Sequence, residues 1–156
     1  SPSFQLSSNA SISITSSSTN LVLSGQPQNV YLYGRTIGSI TSSAGNLLLR
    51  TTGTAGSLTH TLTSSNYGVV LYADFTVTGL LTVTNLGASS ESVDSNTVGT
   101  QRTLTAGSVS LTNVTFQDIA AAGAAIPWTG NTLIDGGNNS NITFYKGSPL
   151  FFGSNF

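Results

Sequence analysis

The chain has 156 residues, of which only 6% are charged, and its net charge is −1. Four Lys and Arg cannot build the basic patch that grips nucleic acid or an anionic membrane surface, so neither is an expected partner. A hydrophobic content of 38% with so little charge excludes a disordered chain, and the absence of Cys excludes disulfides and thiolate metal sites.

The polar surface must therefore come from neutral groups. The chain carries 25 Ser, 23 Thr and 13 Asn. A surface of hydroxyls and amides is wettable without charge and offers few sites to proteases that cut after Lys or Arg. That composition points to an extracellular or virion-exterior location. The chain opens at Ser1 and contains no Met, so it reads as a processed product or a segment of something longer. Its apolar runs fall well short of the ~20 residues of a membrane-spanning helix.

Taken in chain order, the predicted elements are strands. Residues 10–16 alternate, with Ala10, Ile12 and Ile14 on one side and Ser11, Ser13 and Thr15 on the other. Three segments then open alike: Asn20-Leu-Val-Leu23, Asn29-Val-Tyr-Leu32 and Asn46-Leu-Leu-Leu49. Residues 57–63 alternate again. Residues 75–86 hold two near-identical hexads, Phe75-Thr-Val-Thr-Gly-Leu80 and Leu81-Thr-Val-Thr-Asn-Leu86. β-Branched residues on a half-buried pleat account for this texture. The Ser-rich stretch 87–101, with Glu91 and Asp94 and no apolar run, is expected to be a surface loop. Residues 109–116 alternate until Asn113 shifts the phase. Asp118–Ala125 has helical composition but is short and is followed by Pro127, so it predicts a turn or a single helical turn. A further pair of strands opens with Asn113-Val-Thr-Phe116 and Asn141-Ile-Thr-Phe144. Turn clusters at 24–27, 42–45, 53–56 and 135–138 separate the runs.

Two all-β layouts fit. A β-sandwich or jelly roll would show hairpin dipeptides, and Asp135-Gly136 is the only Asn-Gly or Asp-Gly pair. A single-stranded parallel β-helix, or β-solenoid, would show internal similarity at roughly 20 residues and Asn at its corners. The Asn-opened strands and the duplicated hexads favour the β-solenoid. Asn amides are then expected to ladder along its axis. The expected organisation is one all-β domain, 1–156, with a surface loop at 87–101 and an interface-forming tail at 145–156.

The C-terminal residues Leu111-Thr-Asn-Val-Thr-Phe-Gln-Asp-Ile-Ala120, Ala125-Ile-Pro-Trp128 and Asp135-Gly-Gly-Asn-Asn-Ser-Asn-Ile-Thr-Phe144 carry a resemblance. This stretch looks like the repetitive β-solenoid proteins of tailed-phage virions and bacterial surfaces. The resemblance covers under a quarter of the chain and brings no catalytic residues with it. It implies an exterior structural protein.

Candidate chemistry is sparse. His60 is the only His, on a strand between Leu58 and Leu62, where a half-buried ring bonded to a backbone carbonyl is expected. There is no Gly-x-Ser-x-Gly elbow. Asp74, Asp118 and Asp135 are the candidates for the paired carboxylates of glycoside hydrolysis, but Asp at a turn normally bonds its own backbone. Asp135–Asn141 and the Glu91/Asp94 pair offer oxygen ligands with too few acids for a strong Ca²⁺ site. Tyr31, Tyr33, Tyr67, Tyr72 and Trp128 are candidate sugar-stacking groups, with packing under a neighbouring coil or subunit as the plainer expectation. Thr-x-Thr rows (59/61/63, 76/78, 82/84 and 103/105) have the hydroxyl texture of ice-binding solenoids. Ice binding needs a flat, regular lattice, however, and the spacing of these rows along the chain is uneven.

These readings give no catalytic, cofactor or metal residues. The expected function is that of a non-enzymatic structural protein of an extracellular assembly, first of all a phage virion component. It would act as a homo-oligomer or filament through Tyr145, Leu150, Phe151, Phe152 and Phe156. Its partners would be copies of itself or other subunits. A carbohydrate-binding or carbohydrate-cleaving β-helix acting on surface polysaccharide, or a bacterial fibre or adhesin, is the alternative.

Overall fold

The computed structural model describes the backbone of residues 3–6 and 10–13, and residues 19–24, 27–63 and 67–144 with their side chains. The chain is an all-β, parallel β-solenoid of about five turns, with no helix among the described residues. Every paired strand is parallel to its neighbour, and each coil lies over the next. Along one file Ala10 lies over Gln28, Gln28 over Leu47, Leu47 over Val69, Val69 over Val93, Val93 over Phe116 and Phe116 over Asp135, steps of 18 to 24 residues, and across all files a rung takes 17 to 29.

The registers resolve into three faces. Four long strands, β5 (Thr36–Ser42), β7 (Gly53–Leu62), β9 (Phe75–Asn85) and β11 (Arg102–Gln117), each turn at least one corner. Their first residues form face A, which ends on β12 (Ile119–Ala122). Their later residues continue face B, which begins with β1 (Ser3–Leu6) and β3 (Asn20–Leu23). Face C stacks β2 (Ala10–Ser13), β4 (Gln28–Tyr31), β6 (Leu47–Leu49), β8 (Gly68–Leu71), β10 (Glu91–Ser95), the end of β11 and β13 (Asn131–Asp135).

Alternation supplies the core. Ile37, Ala55, Val77 and Ala106 file inward on face A, and Leu21, Ile40, Leu58 and Leu81 on face B. Val30, Leu49 and Leu71 do the same on face C. All of these are 0–1% exposed. Each buried large aliphatic contributes about 1.5–3 kcal/mol relative to exposure. Like residues stack because the register carries each inward position onto the next inward position.

The corner between faces A and B is built from glycine. Gly38, Gly56, Gly79 and Gly107 follow one another there, and register shifts fall at Ala55/Leu58 and Ala106/Ser108. A Cβ at Gly56 would lie 2.5 Å from the Gly38 carbonyl oxygen, and one at Gly79 2.6 Å from that of Gly56. Each corner carbonyl points at the α-carbon of the next rung, which excludes any side chain. This spine was invisible as a repeat, because its members are unequally spaced.

Three sequence expectations are corrected. The stretch 87–101 is not one loop, because Glu91–Ser95 is a strand of face C, with Glu91, Val93 and Ser95 buried. Its flanks at 86–90 and 96–101 do form the turns. Asp118–Ala125 is a turn only over residues 123–125, because a strand occupies the part before it. Asp118 turns a corner at φ 58 and the next four residues are β12. Among the described residues the Asn side chains do not ladder on one another. Asn113 Nδ2 donates to the carbonyls of Gly87 and Ser89, Asn139 to Phe116, and Asn141 to Ala121. The corner carbonyls of the neighbouring rung lie out of strand register and need a donor, and a short amide at a left-handed corner reaches them.

Candidate functional site

The carboxylates are largely engaged in holding the fold. Asp74 Oδ1 accepts the Thr103 amide at 2.8 Å. Asp118, 2% exposed, accepts the Gly99 amide at 2.9 Å and the Asn138 side chain at 2.5 Å. Asp135 accepts the Gly137 amide at 3.0 Å and the Asn139 side chain at 2.7 Å, the turn chemistry expected of it. Burial holds the Asp94 carboxyl above its usual range, with the nearby Asp118 charge a lesser cause. Among the described residues no three His, Asp or Glu side chains come together in a geometry that could hold a metal ion.

The unexpected arrangement lies inside the coil. Ser42 and His60 occupy one inward file of face B, and Glu91 approaches from face C. Glu91 Oε1 is 3.3 Å from His60 Nε2, His60 Nδ1 is 2.8 Å from Ser42 Oγ, and Ser42 Oγ donates to Gln28 Oε1 at 2.5 Å. Gln28 Nε2 donates to the Ala44 carbonyl at 2.8 Å, which fixes the amide's orientation. The proton order follows. Gln28 Oε1 can only accept, so Ser42 gives it the hydroxyl proton and takes the Nδ1 proton of His60. His60 Nε2 then faces Glu91 without a proton, and it and both Glu91 carboxyl oxygens are buried with no hydrogen-bond partner among the described residues. Burial pushes Glu91 up to about 9 and His60 down to about 4, so both are neutral at pH 7.

This chain has the composition of an acid–His–Ser triad, but its geometry is not that of a nucleophile. The serine proton points away from the histidine, and His60 and Glu91 are 0% exposed, so no substrate reaches Oγ. His60 is fully buried rather than half-buried, and beside the expected backbone partners, at Ser42 and Gly45, its Nδ1 meets the Ser42 hydroxyl. Glu91, read from the sequence as a surface-loop acid, is the deepest carboxyl of the chain. Ser42 and Gln28 carried no sequence signal, since only register places them beside His60.

The outer surface gathers its chemistry at the corner between faces C and A. Tyr31 and Tyr33 stack at 6.0 Å, and Tyr33 is 63% exposed, in the left-handed region at φ 51. The Arg50 guanidinium lies 3.9 Å over the Tyr72 ring and its Nε donates to Asn29 at 2.6 Å. Beside them an open cavity of about 370 Å³ is lined by Gly34, Asp74 and Thr52, with Thr54, Thr76 and Thr105 in file. Tyr31 and Tyr33 thus form an outer pair instead of packing under a coil. Trp128 is fully buried, edge-on to Phe116 at 6.2 Å, and is no sugar platform. Phe144 also packs on Phe116, at 6.4 Å, rather than joining an exposed tail.

Among the described residues the last rung is open. β1, β2 and β13 each pair along one edge only among the described residues. A cavity of about 560 Å³ borders Gly130–Ile134, and Ile134 is 45% exposed. The expected interface residues Tyr145, Leu150, Phe151, Phe152 and Phe156 lie outside the described residues. No family model, curated protein or solved structure matches this chain.

Proposed function

We propose that the chain is a non-enzymatic structural protein of an extracellular assembly, in the first place a phage virion component, and that it works through subunit contacts. The observation that carries this reading is the pair of one-sided ends. A parallel solenoid presents different edges at its two ends, so one copy's terminal rung can continue another's in a head-to-tail contact. The engaged acids and the sealed Glu91–His60–Ser42 chain support the non-enzymatic part. Light scattering and electron microscopy of the purified chain test it. Elongated oligomers or end-to-end particles are expected, and a monodisperse monomer at high concentration would refute it.

A second reading is a carbohydrate-binding coil. It is favoured by the cavity at Asp74 and the exposed Tyr33 beside it, a hydroxyl-rich groove with a single carboxylate next to an aromatic ring. Incubation with host-surface polysaccharide separates the two readings. Retention of the polysaccharide, lost in Tyr33→Ala, would favour carbohydrate binding, and chain shortening would show that the protein cleaves it.

A further inference from the structure

Face B carries a feature that neither reading uses. Its outward side holds two straight files of hydroxyls. Thr41 pairs with Thr59, Thr59 with Thr82 and Thr82 with Ser110. Two residues further along the strands, Thr61 pairs with Thr84 and Thr84 with Thr112. The register shifts in these strands lie before Leu58 and before Ser108, so the grid is free of bulges. The uneven spacing along the sequence, which counted against a regular lattice, is absorbed at the corners. Beneath the grid Leu58, His60, Leu62, Leu81, Val83 and Leu111 are buried and hold the backbone in place. Among the described residues none of these seven hydroxyl side chains bonds to the protein, unlike Thr78, Ser90 and Thr115 elsewhere.

The dimensions select a ligand. Parallel rungs repeat about every 4.8 Å, and alternate residues of a strand lie about 6.7 Å apart. In ice each oxygen bonds four others tetrahedrally at about 2.75 Å, so two oxygens sharing a neighbour are about 4.5 Å apart. The rung repeat exceeds that by about 0.3 Å, and the error over the three steps from Thr41 to Ser110 is about 0.9 Å. The other ice repeat, eight-thirds of the bond length, is about 7.3 Å, which the two files miss by about 0.6 Å in their single step. Both errors stay well under one hydrogen-bond length. Threonine suits the task because its branched Cβ restricts χ1, so methyl and hydroxyl tend to repeat in one orientation. The grid carries no charge and no aromatic ring. It therefore lacks the platform a sugar stacks on and the apolar or Arg-rich centre of a protein interface.

We propose that face B binds the surface of ice. The purified chain is grown slowly into an ice hemisphere and assayed for arrest of ice recrystallisation. Enrichment in the ice and arrest at micromolar concentration are expected. Thr82→Tyr, in the middle of the grid, is expected to reduce both at least tenfold with an unchanged circular-dichroism melt, and Thr59→Val checks the result with a near-isosteric change. Val98→Tyr, on a remote exposed turn, is the control and leaves both intact. Exclusion of the chain from ice, full activity in Thr82→Tyr, or retention on crystalline cellulose without partition into ice would each overturn the proposal. Oligomeric state, measured separately, decides the subunit-contact reading whatever ice does.

Discussion

Face B and the corner between faces C and A belong to the same coils but behave differently. On face B, β7, β9 and β11 run in register from Leu58 to Thr61, from Leu81 to Thr84 and from Val109 to Thr112, and one outward residue type recurs. At the C–A corner the turn takes four residues at 32–35, three at 72–74 and six at 96–101, and the side chains differ at every rung. Variation in rung length has to go somewhere, and it goes where backbone pairing does not constrain it. The face keeps a lattice, and the corner collects Tyr33, Arg50, Tyr72 and Asp74. A solenoid thus separates repetition from individuality within each turn.

The largest effect that sharpens this contrast is pH-linked and lies under face B. Glu91 has its folded pKa raised from 4.5 to about 9, so its contribution to stability is complete below 4.5 and is lost as pH rises toward 9. His60 is lowered from 6.5 to about 4, so its contribution is complete above 6.5 and is lost as pH falls toward 4. The two slopes cancel between 4.5 and 6.5. Above 6.5 only the Glu91 slope remains, about 1.4 kcal/mol per pH unit, for a loss on the order of 3 kcal/mol by pH 9. Urea melts across this range are expected to show a plateau followed by a decline. Glu91→Gln, which keeps the side chain's size and removes its ionisable group, is expected to abolish the decline, and a decline that persists in it would refute the assignment.

Next in size is the A–B corner. Gly79→Ala places a methyl against the Gly56 carbonyl and is expected to cost about 1–3 kcal/mol, read as a lower urea midpoint. If Gly79→Ala is neutral, the corner is not the spine that keeps face B in register. A smaller effect of opposite sign is expected at the irregular corner. Tyr33→Gly relieves a left-handed backbone at a non-glycine residue and should stabilise by about 0.5–1 kcal/mol. The smallest belongs to the lattice itself. Thr82→Val removes one outward hydroxyl with no protein partner, so thermal stability should move by less than about 0.5 kcal/mol. A larger loss would mean the hydroxyl files hold the fold together and do not merely decorate it.

Much of the fold was legible. The alternation at 57–63 and 75–86, the near absence of hairpin dipeptides and the Asn-opened runs led to a parallel coil because each reports a local preference: pleat, corner or turn. The site residues were mostly not legible. His60 stood out by rarity, but Ser42, Gln28 and Glu91 join it from three other strands, 18 to 32 residues away in sequence. Glu91 misled because acids in Ser-rich stretches are usually solvated, and only the pairing of β10 with β8 and β11 turns it inward. The glycine spine and the threonine lattice were hidden for a related reason. Their members recur by rung, and rung length is not constant.

By itself the sequence determined that this chain forms strands, that those strands have one apolar and one hydroxyl-bearing side, and that little charge would remain on the surface. Those properties follow from side-chain chemistry and a period of two, which act between near neighbours. Only the tertiary structure decided which residues lie above one another. Axial register is a long-range outcome of packing and corner geometry. It set Glu91 against His60, Gly79 against Gly56 and Thr59 beside Thr82, turning scattered residues into a buried proton chain, a spine and a lattice.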